Sequence, residues 1–344
     1  MSGRIRVGIA GLGRSGWCIH AKALEKLSDK YEIAAVSDPI EDRCREAINK
    51  FGCNAYPDFN KFIKDENFEL AVIATPSHLH ASHTIKALES GKNVVCEKPM
   101  ATNLTEANAM IEAAKRTGKI LTIFQNSLFS PDYLKVKEII QSGKLGRIVL
   151  IRICRHSFGR RWDWQTLRKF GGGELRNNGV HLIVQALSFI GDKKPEIFCD
   201  LQRTLTLGDA EDHVKIILKA PDSPLIDIEV TRACAYPQDE WLIMGTQGGL
   251  VGNTRSLKWK YFNPADLPPR QVEVEPTRDR SYNVEEIPWK EEIWSPIGYK
   301  DSATLFYEEL YRTLRYGAPP PVDPEIARRA MQIIERCFEI CEIR

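Results

Sequence analysis

The sequence predicts a two-domain protein: a doubly wound parallel sheet with helices on both faces, followed by an α+β domain with a large, open, mostly antiparallel sheet. Length is the first reason, because a chain of 344 residues exceeds what one hydrophobic core usually supports. The second is a strand–helix alternation in the first third of the chain, and the third is its replacement by consecutive strands. We place the domains at 1–125 and 126–344.

The first domain is predicted from five short apolar runs, each flanked by a segment with helical periodicity. Strands that are apolar along their whole length are buried on both faces, as they are in a parallel sheet covered by helices. This stretch therefore predicts a doubly wound sheet. The runs are IRVGIA, EIAAVS, LAVIAT, KNVVCE and KILTIF.

The pattern changes after Pro131. A helix, the strand RIVLIRICRHSF, an Arg- and Trp-rich loop and a glycine-opened helix precede a series of strands from 196 to 262. Strands that follow one another directly pair mostly antiparallel. We expect a long loop from 263 to 298, where periodicity is poor. Two helices close the chain and can pack back on the first domain, SATLFYEELYRTLRYG and PEIARRAMQIIERCFEI.

Composition excludes several classes of partner. The 48 Lys and Arg residues are balanced by 46 Asp and Glu residues, so no positive excess exists to neutralise the phosphates of a nucleic acid. No stretch gives the roughly 20 apolar residues of a membrane span, and the N-terminus lacks the pattern of a cleaved signal. The nine cysteines are scattered without a C-x-x-C pair, and the histidines show no metal-ligand spacing. We expect a cytoplasmic protein with no nucleic-acid partner, no membrane partner and no metal.

A phosphate-binding loop follows the first predicted strand. Gly11, Gly13 and Gly16 form G-x-G-x-x-G between a predicted strand and a predicted helix, the context that this motif requires. The first glycine permits a tight turn, the second lets the backbone approach a pyrophosphate, and the third lets the helix pack on the strand. The motif predicts a dinucleotide-binding Rossmann domain whose loop contacts the cofactor. The predicted contacts are Gly11, Leu12, Gly13, Arg14, Ser15 and Gly16.

Asp38 predicts which dinucleotide binds. It ends the second predicted strand, 22 positions after Gly16, where a carboxylate accepts hydrogen bonds from the adenosine ribose hydroxyls. A carboxylate there also repels a 2′-phosphate, so we expect NAD rather than NADP. Arg14 and Arg43 leave NADP open, since either cation can offset that repulsion or remain a solvated surface charge.

Four segments, in this order along the chain, resemble the Gfo/Idh/MocA oxidoreductase family: ATPSHLH at 74–80, CEKP at 96–99, GGGELRNNGVH at 171–181 and GTQGGL at 245–250. The likeness spans nearly the whole chain. It implies an NAD(P)-dependent enzyme that acts on a CH–OH group of a polyol or sugar. It also implies a homodimer or homotetramer, which an open sheet with an exposed apolar face independently favours.

The resemblance implies further cofactor contacts. Thr75, Pro76 and His80 are expected along the cofactor, with Glu97 and Lys98 beside the nicotinamide ribose. Both segments begin where predicted strands stop, and ligands of open α/β sheets bind outside the carboxyl ends of strands. For His80 the alternative is a helix-start residue whose ring bonds to backbone. The family position that faces the nicotinamide is matched by Asn126.

The family's acid–base histidine ends a D-x-x-x-H pattern that here reads N-x-x-x-H. The resemblance places His181 at the histidine and Asn177 at the aspartate, on one helix face. We predict His181 as the base that takes the hydroxyl proton, with Lys98 polarising the substrate oxygen or relaying its proton. Asn177 supplies no charge to stabilise an imidazolium, and it either holds a substrate hydroxyl or orients the ring.

The loop RRWDWQTLRKFGGG is predicted to wall the substrate pocket. Tryptophan faces pack on the C–H faces of sugar and cyclitol rings, and arginine forks onto hydroxyls or acidic groups. The substrate-binding residues we expect are Lys98, Arg161, Trp164, Asn177 and His181. For Trp162 and Trp164 the alternative is a structural role that anchors the loop.

The sequence thus predicts hydride transfer between NAD and a secondary alcohol of a sugar, sugar derivative or cyclitol. One alternative is a glycoside hydrolase or lyase of the same fold that uses NAD transiently. A second is a non-catalytic dinucleotide sensor, which would account for the missing aspartate.

Overall fold

The computed structural model of the chain describes residues 3–275, 277 and 280–344. Its first layer is a six-stranded parallel sheet in the order β3-β2-β1-β4-β5-β6. This order reverses between β1 and β4, where ligands of doubly wound sheets bind. The strands are β1 (Ile5–Ala10), β2 (Tyr31–Ser37), β3 (Asn54–Tyr56), β4 (Leu70–Ile73), β5 (Asn93–Cys96) and β6 (Leu121–Ile123).

Helices cover both faces of this sheet, and β1, β4 and β5 are buried almost completely because of them. The predicted doubly wound sheet is confirmed. The short edge strand β3 was not predicted, because three residues are too few to show a period. The helices of this region are α1 (Lys22–Lys26), which continues a π-helical turn Gly16–Ala21, α2 (Glu41–Phe51), α3 (Phe59–Phe62), α4 (His80–Glu89) and α5 (Leu104–Thr117).

The second sheet has eight strands in the order β14-β13-β12-β11-β7-β10-β9-β8. Only β7 and β10 pair in parallel, so the predicted mostly antiparallel sheet is also confirmed. The strands are β7 (Ile148–His156), β8 (Glu196–Gln202), β9 (His213–Lys219), β10 (Leu225–Thr231), β11 (Trp241–Gly245), β12 (Gly248–Asn253), β13 (Ser256–Tyr261) and β14 (Lys290–Trp294).

Helices α6 (Pro131–Gln141), α7 (Val180–Ile190) and α9 (Pro324–Ile340) share the apolar core of one face of the second sheet. Helix α8 (Ser302–Tyr316) instead joins the core of the first sheet, through Phe306, Tyr307 and Leu310. The C-terminal segment therefore reaches the helix that follows the phosphate loop.

The long loop predicted for 263–298 is wrong in part. The strand β14 lies within it and pairs antiparallel with β13, Tyr261 opposite Lys290 and Leu257 opposite Trp294. It is an edge strand with most side chains exposed, so its sequence carries little apolar alternation to signal it. Between 263 and 290, the described residues contain only the short turn Pro264–Asp266.

Among the described residues, no helix is long and apolar enough to cross a membrane.

Candidate cofactor and substrate site

A cavity of about 1200 Å³ opens at the carboxyl ends of β1, β2, β4 and β5 and extends to β7 and the start of α7. It collects nearly all the predicted site residues. Leu12 and Gly16 do not line it, because the Leu12 side chain is buried and Gly16 packs beneath the loop. The predicted residues that line it are Gly11, Gly13, Arg14, Ser15, Asp38, Thr75, Pro76, His80, Glu97, Lys98, Asn126, Arg161, Trp164, Asn177 and His181.

The glycines of the loop fit a dinucleotide. Gly11 has φ 91°, and a Cβ there would lie 2.5 Å from the Ala74 carbonyl oxygen. A Cβ at Gly16 would overlap the Gly11 carbonyl oxygen. At Gly13 a Cβ would meet nothing within 4 Å, so the backbone there faces open cavity space. Two glycines therefore close the turn and the third leaves room for a pyrophosphate.

Asp38 is buried where β2 ends. Its Oδ2 accepts a hydrogen bond from the Leu12 backbone N–H at 2.7 Å, and its Oδ1 accepts one from Ile40 N–H at 3.0 Å. Arg43 Nη1 lies 3.3 Å from Oδ2. The same Nη1 lies 3.5 Å from Oδ1, so each oxygen already has two donors, and a ribose hydroxyl would bind the carboxylate in place of the long Arg43 contacts. Arg43 lies at the position where it partly offsets the charge of Asp38.

We expect NAD to bind several-fold more tightly than NADP, because the buried Asp38 carboxylate repels a 2′-phosphate. Titration of both cofactors measures the ratio of dissociation constants. Asp38→Ser should narrow that ratio, and Arg43→Ala should widen it by removing the neighbouring cation. Equal affinities in the unmodified protein, or a preference for NADP, would show that the arginines govern this end of the site.

His80 ties the cavity wall together. Its ring nitrogens lie 2.7 Å from the Pro99 carbonyl oxygen and 2.8 Å from that of Thr75, and burial lowers its pKa. At its lowered pKa the ring is neutral and carries one N–H, so it donates to one of these two carbonyl oxygens. The ring lies between the segment after β4 and the segment after β5. His80 also lines the cavity, so it can contact a bound cofactor as well.

A buried relay fixes Glu97. Tyr307 O–H donates to His20 Nδ1 at 2.7 Å, so His20 Nε2–H donates to Glu97 Oε1 at 3.1 Å. Burial acts to raise the pKa of Glu97, but the His20 hydrogen bond and the charge of Lys98 hold it below its ordinary value. Sequence analysis assigned His20 no role, since its partners stand 77 and 287 positions away. Glu97 therefore faces the cavity ionised and fixed in orientation.

Lys98 and Asn177 meet directly in the cavity. Lys98 Nζ donates to the Asn177 carbonyl oxygen at 2.7 Å and contacts its Oδ1 at 3.2 Å. Burial lowers the pKa of Lys98 to about 8, with Glu97 opposing the shift and Arg155 adding to it. The ammonium is therefore mostly protonated near pH 7, and a third N–H remains for a substrate oxygen.

His181 is the second residue of helix α7 and is buried. Ser127 Oγ lies 3.3 Å from its Nδ1 and 3.5 Å from its carbonyl oxygen. Both contacts are satisfied in the tautomer in which Nδ1–H donates to Ser127 Oγ and the Ser127 hydroxyl donates to that carbonyl. We assign this tautomer, in which Nε2 is unprotonated. Burial, and then the charges of Lys98 and Arg155, lower the pKa of His181 well below its ordinary value. The imidazole is thus neutral and able to take a proton.

The Arg- and Trp-rich loop at 160–173, which was predicted to wall the substrate pocket, contributes three residues to the cavity lining. Arg161 is braced by Asp163, at 2.8 and 2.9 Å, and by Gln165, and Trp164 lines the cavity beside it. Trp162 is 76% exposed and lies outside the cavity lining, so it neither walls the pocket nor anchors the loop.

Several residues line the cavity that were not predicted from the sequence, among them Ser127, Arg155, Asn178 and Arg232. A signal for Arg155 existed. In β7 the residues Ile151, Ile153 and Arg155 alternate on one face, and the arginine breaks an otherwise apolar pattern. A charged side chain on the inward face of a strand indicates a site, because a buried charge is costly.

A nucleotide-binding sheet edge that meets a lysine–histidine cluster defines an NAD-binding oxidoreductase. The family described as "Oxidoreductase family, NAD-binding Rossmann fold" matches residues 5–125, and the GFO/IDH/MocA C-terminal domain matches residues 133–251. The chain belongs to the Gfo/Idh/MocA family, as its sequence motifs predicted.

Individual relatives agree. An uncharacterized oxidoreductase of Schizosaccharomyces pombe is 34% identical, over 72% of this chain and 70% of its own length. Myo-inositol 2-dehydrogenase of Thermotoga maritima is 29% identical, over 72% of this chain and 75% of its own. A solved NAD-binding protein from Listeria innocua shares the fold with a TM-score of 0.81 and 24% identity, covering 99% of this chain and 98% of that one.

Proposed function

We propose that this protein is an NAD-dependent dehydrogenase that oxidises a secondary alcohol of a sugar, sugar derivative or cyclitol. The single observation that carries the proposal is the cluster of Lys98, Asn177 and a neutral His181 in the cavity of the phosphate loop. The name of the Thermotoga relative supports a cyclitol or a molecule of similar shape.

Lys98, Asn177 and His181 have different roles in the proposed oxidation. NAD, when bound, supplies the hydride acceptor at its nicotinamide. His181 Nε2 takes the hydroxyl proton of the substrate, since Nδ1–H is engaged with Ser127. Lys98 donates its remaining N–H to the same oxygen and stabilises the negative charge that develops there. Asn177 holds the Lys98 ammonium through its carbonyl oxygen and its Oδ1. It thereby positions the ammonium that stabilises the negative charge on the substrate oxygen.

The loop supplies the substrate wall. Trp164 lines the cavity with its indole ring, and the hydrogen-bonded pair Arg161 and Gln165 lines it beside the ring. An aromatic face with flanking polar groups suits a polyhydroxylated ring, which has both apolar C–H faces and an equatorial rim of hydroxyls.

Reduction of NAD, screened against cyclitols, polyols, free sugars and nucleotide sugars, tests the proposal. We expect at least one member to yield NADH in proportion to the alcohol consumed. Consumption of a glycoside without net NADH would instead indicate the hydrolase or lyase. A chain that binds NADH but turns over no member of the panel would be a dinucleotide sensor.

We further propose that the outer face of the second sheet forms a homodimer or homotetramer. Leu242, Val251, Lys258 and Ile293 form one row across four strands on the face opposite the core. Met244 lies beside this row and is 46% exposed. Apolar side chains in a row on an uncovered sheet typically mark an interface.

Light scattering should therefore show a dimer or tetramer at micromolar concentration, and Met244→Glu should shift it toward monomer by burying a charge. Ile48→Glu on α2 is the matched control, because Ile48 is 45% exposed but lies on the first domain. An unmodified monomer, or equal effects of both changes, would rule out this face.

We also propose the domain limits 1–125 and 126–344 and a cytoplasmic location. The last strand of the first sheet ends at Ile123 and the second sheet begins at Ile148, which supports the limits. All nine cysteines are free thiols in the described part of the chain, which fits a reducing compartment.

A further inference from the structure

Arg155 is a cation inside the substrate end of the cavity with few partners. It stands near the end of β7, on the face that packs toward α7, opposite Val230 of β10. Its one hydrogen bond among the described residues runs from Nη1 to Asn178 Oδ1, at 3.3 Å. A guanidinium carries five N–H donors, so most of those of Arg155, which lines the cavity, have no protein acceptor among the described residues.

Two carboxylates near Arg155 accept hydrogen bonds from other side chains and none from Arg155. Glu174 accepts from Arg232 Nε at 2.9 Å and from the Asn178 amide. Asp132 accepts from the Trp241 indole at 2.8 Å. Within the described residues, no carboxylate oxygen comes within 4.0 Å of the Arg155 guanidinium, although other arginines of the cavity have such partners.

Glu240 is the remaining acidic neighbour. Burial raises its pKa, and the charge of Arg155 opposes that shift without forming an ion pair. The cation Lys98 and the neutral His181 face the same space, and the charge of Arg155 lowers the pKa of both. Arg155 therefore carries a positive charge at the substrate end of the cavity that no ion pair within the described residues neutralises.

A second pocket of about 440 Å³ adjoins the cavity. It shares Arg155, Asn178 and Arg232 with the cavity and continues past Arg255. Arg155 thus lies at the junction of the two spaces, beside the Lys98–Asn177 cluster. A ring held over Lys98 can place a substituent at this junction.

We propose that Arg155 binds an anionic oxygen group of the substrate, so that the substrate class is a sugar or cyclitol derivative bearing a carboxylate or a phosphate ester. The planar guanidinium matches either group with two parallel hydrogen bonds. Asn178 accepts a hydrogen bond from the guanidinium, and Arg232, paired with Glu174, borders the junction. The inference rests on the proposed function, because it specifies the substrate of that same site.

The test measures binding to the protein loaded with NADH, by the change in NADH fluorescence. The probes are matched pairs that differ only at one carbon: D-glucuronate with D-glucose, D-galacturonate with D-galactose, and D-gluconate with sorbitol. Each hexose is also compared with its 6-phosphate, which separates carboxylate from phosphate recognition. We expect the anionic member of at least one pair to bind about tenfold more tightly or better.

Arg155→Gln should weaken that anionic probe about 30-fold and leave its neutral partner within a few-fold. Arg155→Lys should recover part of the lost affinity, because lysine keeps the positive charge but cannot form two parallel hydrogen bonds to the anion. Arg147→Gln is the control, since Arg147 is exposed at the other end of the same strand segment. Thermal unfolding checks that each variant is folded.

The inference is overturned if the neutral member binds at least as well in every pair, or if Arg155→Gln weakens both members equally. Neither result would contradict the proposed dehydrogenase function, because that function is tested separately by the reduction of NAD with an alcohol. Conversely, the protein could prefer anionic probes through Arg155 and yet reduce no NAD with any alcohol. That result would refute the proposed dehydrogenase function and support the anion-binding site.

Discussion

Lys98→Met should lower kcat by about 10² to 10⁴-fold and leave NADH binding within a few-fold, because the substituted group touches the reacting oxygen rather than the phosphate loop. Lys98 is the cavity cation that donates to Asn177 and keeps one N–H for the substrate. Methionine has a similar length and removes a buried charge, so folding should not suffer. Steady-state rates and NADH fluorescence titration make the comparison.

The matched control is Lys64→Met, which removes an exposed lysine of the same domain and should change neither quantity. The pH profile adds a second readout. Because Lys98 has a pKa of about 8, it is protonated below that pH, and kcat/KM should fall as the pH rises through it. Near-normal turnover in Lys98→Met would exclude the polarising role, and so would the absence of an alkaline limb.

His181→Gln should also lower kcat, by about 10²-fold or more, because glutamine fills the space of the ring but cannot take a proton at neutral pH. Burial and two neighbouring cations lower the pKa of His181 well below its ordinary value, so the unmodified enzyme should show no acid limb near pH 6.5. Stopped-flow and steady-state rates test both statements. His213→Gln is the control, since His213 lies on the outer face of the second sheet.

Asn177→Asp separates the two proton-handling groups. The new carboxylate would face Lys98 Nζ, now 3.2 Å from Asn177 Oδ1, and favour the charged forms of Lys98 and His181. The alkaline limb should therefore move to higher pH, and so should the acid limb, which the lowered pKa of His181 places below pH 6.5 in the unmodified enzyme. If neither limb moves and His181→Gln keeps near-normal turnover, the proton is carried by another group.

The cofactor half of the site was predictable from sequence because its signals are local. Gly11, Gly13 and Gly16 stand within six positions, and Asp38 follows the next strand. Their arrangement depends only on a strand, a turn and a helix, which the periodicity already indicates. The doubly wound parallel sheet was predicted from the same alternation of elements, but its strand order and the short strand β3 were not.

The substrate half was less predictable because its contacts cross the chain. Lys98 meets Asn177 from 79 positions away, and Tyr307 reaches His20 across 287. Only the family resemblance joined Lys98 to His181 beforehand. Arg155 remained unassigned, since its inward orientation depends on which face of β7 packs against α7. The edge strand β14 was missed for a related reason, because its pairing with β13 leaves no apolar period in its own residues.

Transfer of an isotopic label tests the central claim most directly. An alcohol that reduces NAD in the panel is prepared with deuterium on the carbon to be oxidised and is incubated with equimolar NAD and the enzyme. The account predicts one deuterium on the nicotinamide of each NADH formed and one ketone for each NADH. Substrate cleaved with the NAD left oxidised and the deuterium retained in the product would contradict it, because hydride would then return to the sugar.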